Sequence, residues 1–313
     1  MKEKIAIIGA GLMGRGLAQV FSLAGHPTHL YDALTTALAA AKKMIRADLD
    51  LAVEAGLVTR DQTEAAEKLI KTEVDLAEAS DGSALIIECV PEKMDLKQNI
   101  FKQLDEICSP QVILASNTSV MSITEIASTS THKERIIGTH FWNPPHLLPL
   151  VEVVQTVDTS PEVIGQTMRL MAGAGKKPIH VKKDVPGFVA NRMQHALWRE
   201  AFYILDAGIA DAATIDEAVR SSFGLRLPVL GPMENADMVG LDLALDIHNY
   251  ILPYLADNHQ PSDVLQENVR DGLLGFKSNG QGFQSWSEDD MRSSRERLAR
   301  HLMAMAIKSK SEL

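Results

Sequence analysis

Lys4-Ile5-Ala6-Ile7-Ile8-Gly9-Ala10-Gly11-Leu12-Met13-Gly14 joins an apolar run to three spaced glycines, and a helical pattern continues through Leu17, Ala18, Val20 and Phe21. A GxGxxG is a weak signal alone, but between a strand and a helix it specifies a phosphate-binding turn. Gly9 permits the tight turn, Gly11 lets the backbone approach a pyrophosphate, and Gly14 lets the helix pack closely on the strand. Leu12 and Met13 complete the turn, where helix N-terminal amides and the helix dipole favour an anion. A second strand, His29-Leu30-Tyr31, ends at Asp32, 18 residues after Gly14. A carboxylate there accepts from ribose hydroxyls and repels a 2'-phosphate. Ala33-Leu34-Thr35 adds no cation, so the expected cofactor is NAD, not NADP.

Working outward, residues 35 to 75 are helical in period with a break at Gly56, and an apolar run follows from Ala84 to Val90. An amphipathic helix is predicted from about Lys93 to Ile107, then strands at Val112 to Ala115, Ile136 to His140, Leu150 to Val154 and Pro178 to Val181. Such alternation predicts an α/β fold with a doubly wound parallel sheet of the Rossmann type, covered on both faces. Proline and glycine in Lys182-Lys183-Asp184-Val185-Pro186-Gly187 stop the last strand. From Phe188 onward the pattern is helical, including an apolar-faced segment from Asn191 to Asp206. The expected organisation is therefore a nucleotide-binding domain over 1–183 and a smaller all-helical domain over 184–313. The final helix is expected to start at Ser287 as N-cap, with Glu288, Asp289 and Asp290 in its first turn and lysines at its end, which suits the helix dipole.

The 313 residues exceed what one core usually serves, which also argues for two domains. A formal net charge of -10 excludes the basic field that draws proteins onto nucleic acid or anionic membranes. The apolar run behind Met1-Lys2-Glu3-Lys4 is too short for a signal peptide, and none approaches the roughly 20 residues that span a bilayer. Cys89 and Cys108 lack metal spacing, so a cytoplasmic protein without a metal site is expected.

Two further segments carry chemistry. Ala115-Ser116-Asn117-Thr118-Ser119 follows an apolar strand, at the carboxyl edge where open parallel sheets bind ligands. Thr139-His140-Phe141-Trp142-Asn143-Pro144-Pro145 ends another strand, and the proline-rich turn behind it can bring His140 beside Glu152. An imidazole can take an alcohol proton as hydride leaves, while a carboxylate on its other nitrogen fixes the tautomer and stabilises the imidazolium. Plainer roles remain open from the residues alone: a structural histidine at 140, turn formers at Ser116 and Thr118, a helix cap at Asn191, and a solvated helix charge at Lys97.

With these segments in place, the chain resembles the 3-hydroxyacyl-CoA dehydrogenase family over essentially its whole length. The resemblance rests on GAGLMGRGLA at 9–18, ECVPEKMDLK at 88–97, ASNTS at 115–119, THFWNPP at 139–145, LVEV at 150–153, DVPGFVANR at 184–192 and GPMENADMVGLD at 231–242. It implies His140 as general base, Glu152 as its partner, Ser119 as a hydrogen-bonding group at the reacting oxygen and Asn191 as a substrate-orienting group. It further implies nicotinamide and ribose contacts from Glu92, Lys97, Ser119 and Asn143, with Lys277 as a looser match near the cofactor. A homodimer through the helical domain is also expected, partly from the resemblance.

The substrate class turns on departures from the CoA-using relatives. Where those are rich in lysine, this chain reads Asp48-Leu49-Asp50-Leu51-Ala52-Val53-Glu54, with only Lys42, Lys43, Arg46 and Arg60 nearby. The loop NPPHLLPLVE at 143–152 is similar to the form in the L-gulonate 3-dehydrogenase and lambda-crystallin branch, as are ECVPE and LKQNIFKQLD. Gly224-Leu225-Arg226 places a cation where branches acting on free hydroxy acids, carnitine dehydrogenases included, tend to carry one, and the tail after Trp286 runs past the usual end of the CoA enzymes. The expected activity is NAD-dependent oxidation of the 3-hydroxyl of a small hydroxy acid, with Arg226 binding its carboxylate bidentately. Arg226 paired to an acidic neighbour or to a second subunit is the plainer alternative. An L-3-hydroxyacyl-CoA dehydrogenase and a non-catalytic, crystallin-like dinucleotide-binding protein are the alternative functions.

Overall fold

A computed structural model describes residues 2–311. Its strands are β1 (Lys4–Ile8), β2 (Thr28–Tyr31), β3 (Ile70–Glu73), β4 (Ser83–Glu88), β5 (Ile113–Ser116), β6 (Ile136–Phe141), β7 (Leu150–Gln155) and β8 (Lys177–Val181). They form one sheet in the order β3-β2-β1-β4-β5-β6-β7-β8. Neighbours are parallel throughout except β6 and β7, which run antiparallel. The order reverses at β1, so the crevice between β1 and β4 is the switch point at which such sheets bind ligands.

Side-chain alternation along the strands divides the core. Ile5, Ile7, Leu85, Ile87, Val151 and Val153 face one way, against α1 (Leu12–Leu23), α2 (Thr35–Glu54) and, after α3 (Arg60–Leu69), α4 (Leu76–Ser80), α5 (Met94–Ile107) and α6 (Ile123–Ile126), against α7 (Pro161–Gly173). Ala6, Ile8, Ile86, Leu114 and Val154 face the other way and meet α5 and α6. With apolar cover on both faces, β1, β4 and β5 read as continuous hydrophobic runs.

One expectation is corrected. Residues 35 to 75 are not helical throughout, because Ile70–Glu73 is a strand paired with β2. This is the sheet edge, where one neighbour and partial exposure suffice, so Ile70-Lys71-Thr72-Glu73 has one apolar residue and no strand-like run. The break at Gly56 is present, with φ +72°, and Thr59 and Gln62 form a capping box that opens α3.

The chain divides into two units. The first runs to Arg192 and takes in the chain from Ala299 onward; the second is Met193–Leu298. The first thus extends beyond residue 183 through the Pro186-Gly187 turn and the opening of α8 (Ala190–Asp206). The second unit holds the rest of α8, α9 (Ala212–Arg220), α10 (Pro232–Val239), α11 (Leu241–Ile251), α12 (Asp263–Arg270) and the start of α13 (Glu288–Ser311). Ser287 caps α13, its Oγ accepting from Asp290 N at 3.1 Å while Asp290 Oδ2 accepts from Ser287 N. Among the described residues, no helix is long and apolar enough to cross a membrane.

Candidate active site

The antiparallel register of β6 and β7 sets His140 directly opposite Glu152. Opposed residues of such a pair share a face, so the two side chains meet. His140 Nδ1 lies 2.8 Å from Glu152 Oε2, and both residues are buried. The other carboxylate oxygen accepts from Val189 N at 2.9 Å and Ala190 N at 3.0 Å, at the N-terminal end of α8. Burial pushes the Glu152 carboxyl up, but hydrogen bonds from His140, Ala190 and Val189 outweigh it and hold the group below its usual range. An ionised carboxylate only accepts, so Nδ1 carries the proton and the neutral ring presents Nε2 as a base.

Aromatic rings fix the imidazole from two sides, Trp142 at 5.5 Å and Phe188 at 5.8 Å between centroids. Gly187 and Phe188 both have positive φ, +75° and +48°, in the turn that delivers the Val189 and Ala190 amides to Glu152. A buried aromatic residue in the left-handed region is strained by about 1–3 kcal/mol, and such strain persists only where surrounding contacts over-determine it. Here the Phe188 side chain is buried against the imidazole and its amide donates to Val185 O at 3.0 Å.

At the switch point, Gly9 has φ +107°, and a Cβ on Gly14 would stand 1.8 Å from the Gly9 carbonyl oxygen. Gly11 faces open space, and no side chain caps α1 behind it. The first-turn amides of α1 are therefore available to an anion, and that turn carries no acidic side chain. Leu12 is exposed and Met13 half-buried against the core. Asp32 Oδ2 accepts from Ala10 N at 2.9 Å and Oδ1 from Leu34 N at 3.0 Å, which holds the carboxylate beside the turn. This cradle fits the pyrophosphate and adenosine ribose of NAD.

Between these two places lies a charge network. Lys97 of α5 is buried, not solvated, and its Nζ is 2.7 Å from Glu88 Oε1 and 3.0 Å from Glu92 Oε2. Glu92 also accepts from Thr118 Oγ1 and from Ser119 N at 3.1 Å. Asn191, in the first turn of α8, donates from Nδ2 to Ser119 O at 3.1 Å. Asn143 is exposed in the loop after Trp142. Arg226 and Lys277 belong to the second unit and are exposed there; among the described residues the Arg226 guanidinium has no ion-pair partner.

Four contributors escape sequence reasoning. Glu88 ends β4 in full burial, and Ser116 donates to it at 2.6 Å. Asn117 Oδ1 accepts from Phe141 N at 2.9 Å and ties the ends of β5 and β6 together. Trp142 and Phe188 frame the imidazole. The available signal for Glu88 is a carboxylate that closes an otherwise apolar strand, Ala84-Leu85-Ile86-Ile87.

The family domain described as 3-hydroxyacyl-CoA dehydrogenase, NAD binding domain, matches residues 4–185, and the corresponding C-terminal domain matches 187–286. The chain is 31% identical over 305 residues to 5-formyl-3-hydroxy-2-methylpyridine 4-carboxylate 5-dehydrogenase of Mesorhizobium japonicum, covering 97% of each chain. It is 37% identical over 287 residues to a probable 3-hydroxybutyryl-CoA dehydrogenase of Bacillus subtilis, covering 91% of this chain and 98% of the relative. A solved structure of a 5-formyl-3-hydroxy-2-methylpyridine 4-carboxylic acid 5-dehydrogenase, described as an NAD+ dependent dismutase, superposes with a TM-score of 0.89 at 30% identity over 97% of both chains. The chain belongs to the 3-hydroxyacyl-CoA dehydrogenase family and is one of its NAD-dependent oxidoreductases.

Proposed function

We propose that the chain oxidises the 3-hydroxyl of a small hydroxy acid bearing a free carboxylate to the keto acid. The observation that carries this is the buried His140–Glu152 pair at 2.8 Å. NAD, when bound, accepts the hydride from the carbinol carbon. His140 Nε2 takes the hydroxyl proton, and Glu152 stabilises the imidazolium that results. Ser119, held by Asn191, orients the substrate oxygen. The 9–14 turn and Asp32 serve the adenosine and pyrophosphate end of the cofactor, and Glu92, Lys97, Asn143 and Lys277 its nicotinamide ribose end. Arg226 takes the substrate carboxylate.

Three observations support a free acid. The end of α2 carries Asp48, Asp50 and Glu54, and two nearby cations are already engaged, Arg46 with Glu67 and Arg60 with Asp50. Phosphate binding by a CoA thioester needs free cations. The C-terminal family domain stops at residue 286, leaving α13 outside it. The relative matched over 97% of both chains is named for a pyridine carboxylate, a free acid, which adds aromatic hydroxymethyl acids, whose oxidation would give the aldehyde, to the candidates beside the 3-hydroxy acids. The Bacillus subtilis relative favours the second reading, a 3-hydroxyacyl-CoA dehydrogenase.

NADH formation over a panel of aromatic hydroxymethyl acids, 3-hydroxybutyrate, gulonate, carnitine and 3-hydroxybutyryl-CoA tests this. A preference for the thioester overturns the free-acid assignment, and no turnover at all favours the crystallin-like binder. Arg226→Ala is expected to lower kcat/KM for the best acid on the order of 100-fold, as loss of a charge-assisted pair does; an unchanged value removes Arg226. We further propose a cytoplasmic homodimer. Its support is that α11 exposes Leu241, Leu245 and Tyr250 and that α9 to α12 bury no residue, an apolar surface a second copy would cover.

A further inference from the structure

The loop between β6 and β7 folds back on itself before the chain enters β7. Leu147 N and Leu148 N both donate to Pro144 O, at 3.1 and 3.0 Å, which closes a tight turn. Lys176, just before β8, reaches that turn from the side: its Nζ donates to Pro145 O and, at 3.2 Å, to Leu148 O. Lys177 N donates to Pro149 O at 2.8 Å and ties the end of the loop to the same strand. On its other side Pro145 rests on α1, where a Cβ at Gly16 would stand 2.5 Å from the proline Cγ. Asn143 opens this loop, directly before Pro144.

Among the described residues no carboxylate forms an ion pair with Lys176, and burial alone lowers its amine to about 8. A buried charge without a counter-charge costs stability, so at neutral pH an apolar side chain of the same length would serve the fold better. What the lysine supplies in exchange is its pair of hydrogen bonds to the loop. We propose that Lys176 is a positioning residue of the cofactor site: by holding the carbonyls of Pro145 and Leu148 it fixes the 143–149 loop, and with it Asn143 at the nicotinamide ribose. The assignment rests on the proposed cofactor role of Asn143.

The test is calorimetry on the full chain with NAD and with ADP, melting temperature being measured in parallel at neutral pH. ADP takes only the 9–14 turn and Asp32 in the proposed site, so a displaced loop weakens NAD alone. Lys176→Met is expected to raise the Kd for NAD on the order of tenfold, as loss of hydrogen bonds to a charged group does, and to leave the Kd for ADP and the melting temperature unchanged. Equal weakening of NAD and ADP makes Lys176 a folding residue and overturns the proposal, as does unchanged NAD binding. Asn143→Ala is expected to weaken NAD by a similar factor, and the double variant no further than Asn143→Ala alone, because residues that act as one are non-additive. A double variant whose loss is the product of the singles shows Lys176 acting elsewhere and overturns the proposal while the role of Asn143 stands. Asn143→Ala without effect on NAD removes Asn143 from the cofactor site, and the positioning role falls with that reading. Should Lys176→Met fail to fold, Lys176→Gln, which loses the charge and keeps two N–H donors on a shorter arm, is read with the same two probes: weakening of NAD alone supports the proposal, and any other result overturns it.

Discussion

Glu152→Gln removes one charge and almost no volume. The wild-type carboxylate accepts three N–H groups, from His140 Nδ1 at 2.8 Å and from Val189 and Ala190 at 2.9 and 3.0 Å. Glutamine has a single carbonyl oxygen. If that oxygen keeps the two backbone amides, its NH2 faces Nδ1, the ring must accept there, and the imidazole proton moves to Nε2, the atom that has to take the alcohol proton. If it turns instead, two amides at the start of α8 lose their acceptor.

The rate effect follows from the charge. An imidazolium and a carboxylate with centres about 4 Å apart attract by about 4 kcal/mol at an effective dielectric of 20. With the proton half transferred in the transition state, about 2 kcal/mol of that is lost, and the unfavourable tautomer adds about 1–2 kcal/mol more. The expected fall in kcat is on the order of 10²–10³. NADH absorbance at saturating NAD with the best acid of the panel gives kcat and KM, and a melting curve gives stability. A kcat within threefold of wild type, at unchanged melting temperature, would refute the pairing of base and carboxylate. A rate loss matched by unfolding would place Glu152 in folding and not in chemistry.

Asp105→Asn leaves Arg135, 1% exposed and 2.7 Å from Asp105 Oδ1, without its counter-charge, and is expected to destabilise the chain by about 3–5 kcal/mol in urea titration. Burial pushes the Asp105 carboxyl up, but Arg135 and the Thr131 and His132 amides hold it below its ordinary 3.8, so its stabilisation is present above that pH and is lost as pH falls through the folded value; the asparagine variant flattens this acid limb. Lys176 behaves oppositely, since burial lowers its pKa from 10.5 to about 8 and the unfolded chain binds more protons in that window. Stability from this group therefore rises with pH between those values, by about 3 kcal/mol in all, and denaturant titration of Lys176→Met should show no such rise. Asp32→Ala removes the acceptor of Ala10 N and the carboxylate of the ribose site, and is expected to weaken NAD on the order of tenfold while narrowing the preference over NADP; an unchanged NAD affinity would remove Asp32 from the site.

Local constraints account for what the sequence discloses. The 9–14 glycines announce themselves because steric exclusion acts within a few residues: a side chain at Gly14 collides with the carbonyl of Gly9. Buried parallel strands are legible because cover on both faces demands unbroken apolar runs, and β3 is missed because an edge strand does not. Lys97 has the period of a solvent-facing helix charge, and only tertiary partners at Glu88 and Glu92 decide that it is buried. The positive φ of Phe188 has no sequence signal, since a residue with a side chain enters that region only when its neighbours force it.

The antiparallel step is what turns this sheet into a base. The five parallel pairs among β1 to β6 and their crossovers bring strand ends to one edge, yet residues there arrive singly, each on its own strand. The turn after Trp142 sends β7 back along β6, so that His140 and Glu152 become direct cross-strand neighbours, on the face that also carries Val154 and Phe188. Val151 and Val153 point to the opposite face, into the core under α1 and α7. A slip of one residue would drive Glu152 into that apolar layer and expose the valines to the imidazole. Register is therefore fixed by apolar burial on one face, and the acid–base pair on the other face inherits its geometry from that burial. Gly138, two residues before His140, holds the strand in place: a Cβ there would come within 2.9 Å of Ile123 and 3.0 Å of Val154.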